Sequence, residues 1–439
     1  MHQFIFTGRQ KSVLLGFMVL GLLCMGLTWA VDDPLHTRFW TNLLHNTVFF
    51  TGIAFIALFV YSAWMTAYAG WHTVVKRIFE GFSLYMVVGL VLMLIIAGGT
   101  WFHYHHLYHW AAEGIADPAS DAYDKILAGK SSFLNKSWYT FGSVGFLAVW
   151  TFFAFRIRSL SIAEDNAGTA DYAHHQKLKR VVAIFLPIAA FTSAAAIWQW
   201  VMSIDAHWYS TMFAWYATAS WFISMMSVTI LTIIFLKSKG YLDEITSEHL
   251  HDLGKWLFAI SIFWTYLWFS QFMLIWYANV GEETVYFQIR RDDYPVLFFG
   301  NLVINFVLPF LILMRNSTKR KYGTLAFMSI ILLFGHWVDF FLMIKPGALH
   351  TAMEAMEHMG IAIGDATAHG HEHAGHEHGT GHAAHHAIPP GFKLPGLLEI
   401  GTFLGFLASF LFFSLNQFTK ASLISKNDPY LAESLHHHT

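Results

Sequence analysis

The chain has 439 residues, of which 56% are hydrophobic and 18% aromatic, while only 12% are charged. A soluble globular chain is about a quarter charged, so lipid is the expected solvent, and a formal net charge of −2 gives no reason to expect nucleic acid as a partner. The one cysteine, Cys24, cannot hold an iron–sulfur cluster, a Cys-x-x-Cys-His haem attachment or an intramolecular disulfide.

A span needs about 20 mostly apolar residues to cross a ~30 Å hydrocarbon core. In chain order the qualifying stretches are 12–31, 44–68, 81–102, 138–155, 181–202, 212–236, 257–277, 296–314, 325–344 and 397–418. The first is long enough to span and no small-residue cleavage site follows it, so it is expected to stay in place and not to act as a signal peptide. Only a helix satisfies its own backbone groups in lipid, and none of these stretches alternates as a barrel strand would. The expected fold is therefore an all-α integral membrane domain of about ten transmembrane helices. Spans two to nine suggest a pair of four-helix bundles, with spans one and ten peripheral.

Basic residues orient the chain. With both termini cytoplasmic, that side holds Arg9, Lys11, Lys76, Arg77, Arg156, Arg158, Lys177, Lys179, Arg180, Lys237, Lys239, Lys255, Arg315, Lys319, Arg320, Lys321, Lys420 and Lys426, which is most of the 26. The outer side then carries the aromatic and histidine-rich run Trp101 to Trp110, Asp205 and His207 after span five, and Glu282 and Glu283 in the loop after span seven. The segment 346–396 is expected as a long outer loop, partly disordered. It holds His369, His371, His373, His376, His378, His382, His385 and His386 without the fixed spacing of a zinc site, so it reads as a hydrated tether or an adventitious metal binder.

Ionisable groups inside a membrane cost several kcal/mol unless paired or hydrated, so each is a candidate for function. His336 and Asp339 lie three residues apart on one face of span nine, where they can relay a proton or fix helix packing. Asp205, His207, Trp208 and Tyr209 bring together a carboxylate, an imidazole and aromatic rings, the types a quinone slot with a proton acceptor requires. An interfacial aromatic belt has the same composition. Glu282 and Glu283 suit a proton exit, a docking surface or a solvated loop. Only His336 is clearly deep, with His45, His72, His103 and His207 near span ends, so bis-histidine haem is not expected.

Two longer stretches carry a resemblance. Trp200-x-x-Ser203-x-Asp205-x-x-Trp208-Tyr209-Ser210-Thr211 and Gln271-Phe272-x-Leu274-Ile275-Trp276-Tyr277-Ala278-Asn279-x-x-Glu282-Glu283 resemble the second large membrane subunit (ActF type) of bacterial alternative complex III, as does Pro309 followed by Arg315 and Lys319. Gly281 stands where the family has a proline, and the histidine-rich insert is peculiar to this chain. The resemblance implies an NrfD-like fold in the bacterial inner membrane. It also implies a respiratory complex that oxidises quinol and passes electrons to cytochrome c or a terminal oxidase. Partners would be an iron–sulfur subunit, a multihaem c subunit and a second NrfD-like subunit, which carry the haem c and the clusters. For this chain it implies a structural role and a candidate proton path through His336, Asp339, Asp205, His207, Glu282 and Glu283, with quinone contact at Asp205, His207, Trp208 and Tyr209. No catalytic or metal-ligating residue is assigned, and no covalently bound cofactor is expected. A stand-alone secondary transporter, expected to show matched broken helices in two halves, and a metal transporter remain open alternatives. Pro187 and Pro309 interrupt spans five and eight but not at evidently equivalent positions.

Overall fold

The computed structural model describes residues 3–120, 122–167, 172–360 and 388–438. Among these residues there is no strand, and ten helices are long and apolar enough to cross a membrane. They are α1 (Gly8–Ala30), α2 (Thr37–Thr66), α3 (Lys76–Trp101), α4 (Lys136–Asn166), α5 (Tyr172–Ile204), α6 (Met212–Ser238), α7 (Ser247–Ala278), α8 (Pro295–Leu313), α9 (Tyr322–His358) and α10 (Leu397–Phe418). The protein is thus an all-α integral membrane fold. Its helices alternate in direction between a near end, where α1 begins, and a far end.

Packing divides the helices into two rings. Helix α2 packs on α3, α3 on α4, α4 on α5 and α5 back on α2; α6, α7, α8 and α9 close a second ring in the same way. The rings meet where α6 lies against α2 and α5, and α9 against α2. Helix α2 is the hub, with 89% of its most apolar window buried against 22% for α1. Helices α1 and α10 pair outside the rings and rest on α2, with α10 also touching α3. Their crossing is set by glycine: a Cβ on Gly21 would lie 2.6 Å from the Gly405 Cα, so the backbones touch directly. Small residues allow this because lipid supplies no hydrophobic drive between helices, and close van der Waals packing must take its place. Large apolar side chains such as Leu22, Phe152, Phe191 and Trp276 point outward, as a lipid-facing surface requires.

Several helices outrun their expected bounds. Helix α4 continues to Asn166 instead of ending at 155, and α7 begins at Ser247 instead of 257. Polar residues at these ends are buried and partnered, so a hydropathy window stops short of the helix. The largest departure is α9, which runs on from the expected end at 344 to His358 and passes through Pro346. Proline has no N–H for the carbonyl four residues back; the Arg290 Nε donates to that carbonyl, on Leu342, at 3.1 Å. The outer segment expected over 346–396 therefore begins as helix through 358. Its histidine cluster, His369 to His386, lies outside the described residues, and 388–396 leads into α10. Glu282 and Glu283, expected on a loop, occupy the first turn of a short helix, Gly281–Asp292, whose last turn carries Arg290 and Arg291. Acids at the start and bases at the end complement the helix dipole.

Candidate functional site

The ninth helix places a carboxylate inside the second ring, buried among the four helices. Asp339 and His336 are both fully buried. One Asp339 oxygen accepts from the Asn301 amide of α8 at 2.7 Å and from the Tyr216 hydroxyl of α6. The other accepts from the Trp264 indole of α7 at 2.9 Å and lies 3.9 Å from the His336 Nδ1. His336 Nδ1 also meets the Ser220 hydroxyl at 2.9 Å, while its Nε2 has no hydrogen-bond partner among the described residues. Every helix of the second ring thus contributes a polar group to one point. Asn305 donates to Asn301 at 2.5 Å from within a π-helical turn, Val303–Val307, that widens α8 just before Pro309. Single π turns of this kind recur at functional sites. Gly335 makes room for it, since a Cβ there would meet the Asn305 Oδ1 at 2.2 Å.

About one turn nearer the far end, Arg290 closes the site. Its guanidinium donates to Asp205 Oδ2 at 2.8 Å and to the backbone carbonyls of Tyr286, Leu342 and Met343 at 3.0 to 3.2 Å. It lies 3.4 Å over the Tyr286 ring, which in turn stacks on Trp208 with centroids 3.8 Å apart. Burial works against the charge of Arg290, but Asp205 together with the Tyr286 and Tyr294 phenols outweighs it and raises the pKa above its ordinary value. Between this plug and Asp339 lies a cavity of about 20 Å³ with an apolar wall that includes Phe213, Phe287 and Phe298 and polar groups from Gln271, Arg290 and Asp339. A space of that size admits about one water molecule, and these polar groups offer it partners.

The other expected residues lie apart from this point. His207 turns outward and binds Asp124 at 2.5 Å, and Asp124 also caps the short helix Lys125–Lys130. The His207 backbone carbonyl and that of Ala206 accept from the Lys130 ammonium. Tyr209 is exposed, with the Lys130 ammonium 5.4 Å from its ring centroid. Asp205 and His207 therefore face different partners, one inward and one toward solvent. Near His207, His109 Nδ1 pairs with Glu354 at 3.2 Å, a hydrogen bond that raises the imidazole pKa. In the same segment His105 is buried against the Ile96 carbonyl, and burial pushes it down to about 4. Glu282 is exposed and Glu283 half-buried.

Three features escape a reading by hydropathy. His45, placed near a span end, is buried and hydrogen-bonds the Trp337 carbonyl at 2.8 Å. Lys345, which falls between the ninth expected span and the segment expected after it, is fully buried in α9 with no hydrogen-bond partner for its Nζ among the described residues, and lies 4.5 Å from the Phe392 ring centroid. The third is a cluster at the near end of the first ring. Lys76 binds Glu164 at 3.3 Å and also Asp428, while Arg77 binds Glu80 at 2.8 Å and also Asp165. His175 meets Glu164 at 3.1 Å, and Arg158 lies 3.8 Å from Glu80. Burial raises the Asp428 pKa, but the Lys76 ammonium by charge and hydrogen bond, together with the Tyr430 N–H, brings it below the usual carboxylate range. Glu164, His175 and Asp428 offer ligand atoms within 4.8 Å of one another, a spacing that could hold a metal ion. The Lys76 ammonium already sits among these carboxylates, so a cation is supplied by the chain itself.

The Asp339 site can hold a proton on a carboxylate or an imidazole and exchange it through a neighbouring water-sized space. No family model matches the chain, and no curated protein matches it.

Proposed function

We propose that the protein is a membrane subunit, with no redox centre of its own, of a quinol:electron-acceptor oxidoreductase, corresponding to the ActF-type subunit of alternative complex III. In this reading it carries protons through the Asp339 and His336 site while clusters and c-type haems on partner subunits carry electrons to cytochrome c or a terminal oxidase. Its location would be the bacterial inner membrane, with the near end and both termini cytoplasmic. The excess of lysine and arginine at that end supports this orientation.

The observation that carries the proton role is the fully buried Asp339, ringed by neutral donors from Tyr216, Trp264 and Asn301 and adjoining a cavity capped by Arg290 and Asp205. An intramembrane carboxylate that meets neutral donors and a single imidazole, His336 at 3.9 Å, is costly when ionised and marks a functional site. The geometry favours proton handling over a quinone ring at the far end. Asp205 is held by Arg290, His207 by Asp124 and Trp208 by Tyr286, and the adjoining space of about 20 Å³ suits water. Glu282 and Glu283 on their short helix then serve as a solvated acidic surface for an extrinsic subunit.

The two closed rings also suit a stand-alone transporter built from two halves. Purification in mild detergent separates the readings. Subunits with haem c and iron–sulfur absorbance should come down with the chain, and a chain that purifies alone and moves a solute across vesicles would end the oxidoreductase proposal.

A further inference from the structure

At the near end, α1 leans on α10 and α2 and leaves a wedge open toward α6. The wedge is a groove of about 700 Å³, within the range that encloses a small-molecule ligand. Its walls are aliphatic and aromatic, including Leu14, Phe235 and Leu411, and its floor reaches Leu333 of α9. Both charged side chains that line it are cations, Arg9 at the start of α1 and Lys239 at the end of α6, and both are exposed at the groove mouth. The first turn of α1 contains no acidic residue, so Arg9 sits at the positive end of its own helix dipole. That arrangement is unfavourable by itself and is relieved by an anion at the mouth. Below α1 the chain is pinned, with Phe4 packed on Tyr241, the Ile5 N–H donated to the Tyr241 hydroxyl at 3.2 Å, and Phe6 packed on Phe412. The wedge is therefore held open by built contacts.

We infer that this groove binds an anionic phospholipid of the near-end leaflet, its phosphodiester between Arg9 and Lys239 and an acyl chain along the apolar wall. A partner helix without an acidic residue at this depth would fill the apolar wall equally well, but would leave the two cations at the mouth with no counter-charge. An anionic lipid satisfies both halves of the groove at once. Basic residues at a membrane surface each favour anionic lipid by an amount that, for two of them, multiplies to about 30-fold.

The test is native mass spectrometry of the full chain in mild detergent, titrated separately with phosphatidylglycerol and phosphatidylcholine. Wild type should prefer phosphatidylglycerol by about 30-fold. The double variant Arg9→Gln, Lys239→Gln should lose that preference while keeping its affinity for phosphatidylcholine. A second variant, Leu411→Trp, should weaken binding of both lipids by filling the wall. Equal affinity for the two lipids in wild type, or a preference that survives loss of both cations, would overturn the inference. So would a helix of another subunit seated in the groove of an assembled complex.

Discussion

The near-end cluster of the first ring and the Asp339 site of the second are both buried and both polar, yet they settle charge in opposite ways. At the near end the acids Glu80, Glu164, Asp165 and Asp428 are met by Lys76, Arg77 and Arg158. Asp428 belongs to the segment after α10, so these ion pairs tie the tail to α3 and α4. At Asp339 the hydrogen-bond donors are a phenol, an indole and an amide, none of which carries charge, and the nearest ionisable neighbour is the His336 imidazole at 3.9 Å. A carboxylate matched by ammonium or guanidinium is fixed in its ionised state, whereas one held by neutral donors can change protonation without leaving an orphaned cation. The first arrangement suits a latch and the second suits a switch.

That contrast can be broken by substitution, beginning with the largest effect on stability. Replacing Lys76 with Met strands Glu164 and Asp428, and removing one partner of a buried ion pair costs about 3–5 kcal/mol. Folded yield and thermal unfolding in detergent should both fall sharply, and unchanged values would show the cluster to be no latch. Replacing Arg290 with Ala leaves Asp205 and the Leu342 carbonyl unpartnered and should cost about 3 kcal/mol. Hydrogen exchange should rise around Pro346 in α9, and protection equal to wild type would deny Arg290 its role as a plug.

Asp339→Asn should be milder for the fold, about 1–2 kcal/mol, because an amide still accepts from one neighbour. Its effect should fall on protons moved per electron by the complex in proteoliposomes. Wild-type stoichiometry would remove Asp339 from the path. The smallest effect is expected at the far-end surface, where His109 is partly exposed and contributes less than about 1 kcal/mol. Its pKa is raised by Glu354, so the contribution is full below the ordinary histidine value of about 6.5 and is lost as pH rises through the higher folded value. Unfolding temperature should therefore step down above about pH 6.5 in wild type and not in His109→Gln. A step of equal size in both would assign it elsewhere.

The helix count and the core of each span were legible because lipid leaves a chain one way to satisfy its backbone, and about 20 apolar residues announce it. The pairing of His336 with Asp339 on one face was legible too, since three residues along a helix fix a shared side. Hydropathy failed at the ends of α4, α7 and α9. There the neighbours of a polar residue decide its burial, and a window over the sequence sees none of them. Lys345 and His45 illustrate the same limit: each sits among residues distant in the chain, Phe392 for one and Trp337 for the other.

From sequence alone came a greasy, nearly thiol-free chain of membrane helices, with an intramembrane acid and histidine three residues apart. Tertiary structure alone decided that Asp205 is bound to Arg290 while His207, two residues on, is bound to Asp124. It also decided that a proline in α9 is tolerated because an arginine 56 residues earlier in the chain, Arg290, takes the carbonyl that Pro346 leaves free. Local chemistry determines which residues can enter lipid as helix. Which charges meet there is determined by how the helices pack, and a buried charge is stable only with the partner that packing brings to it.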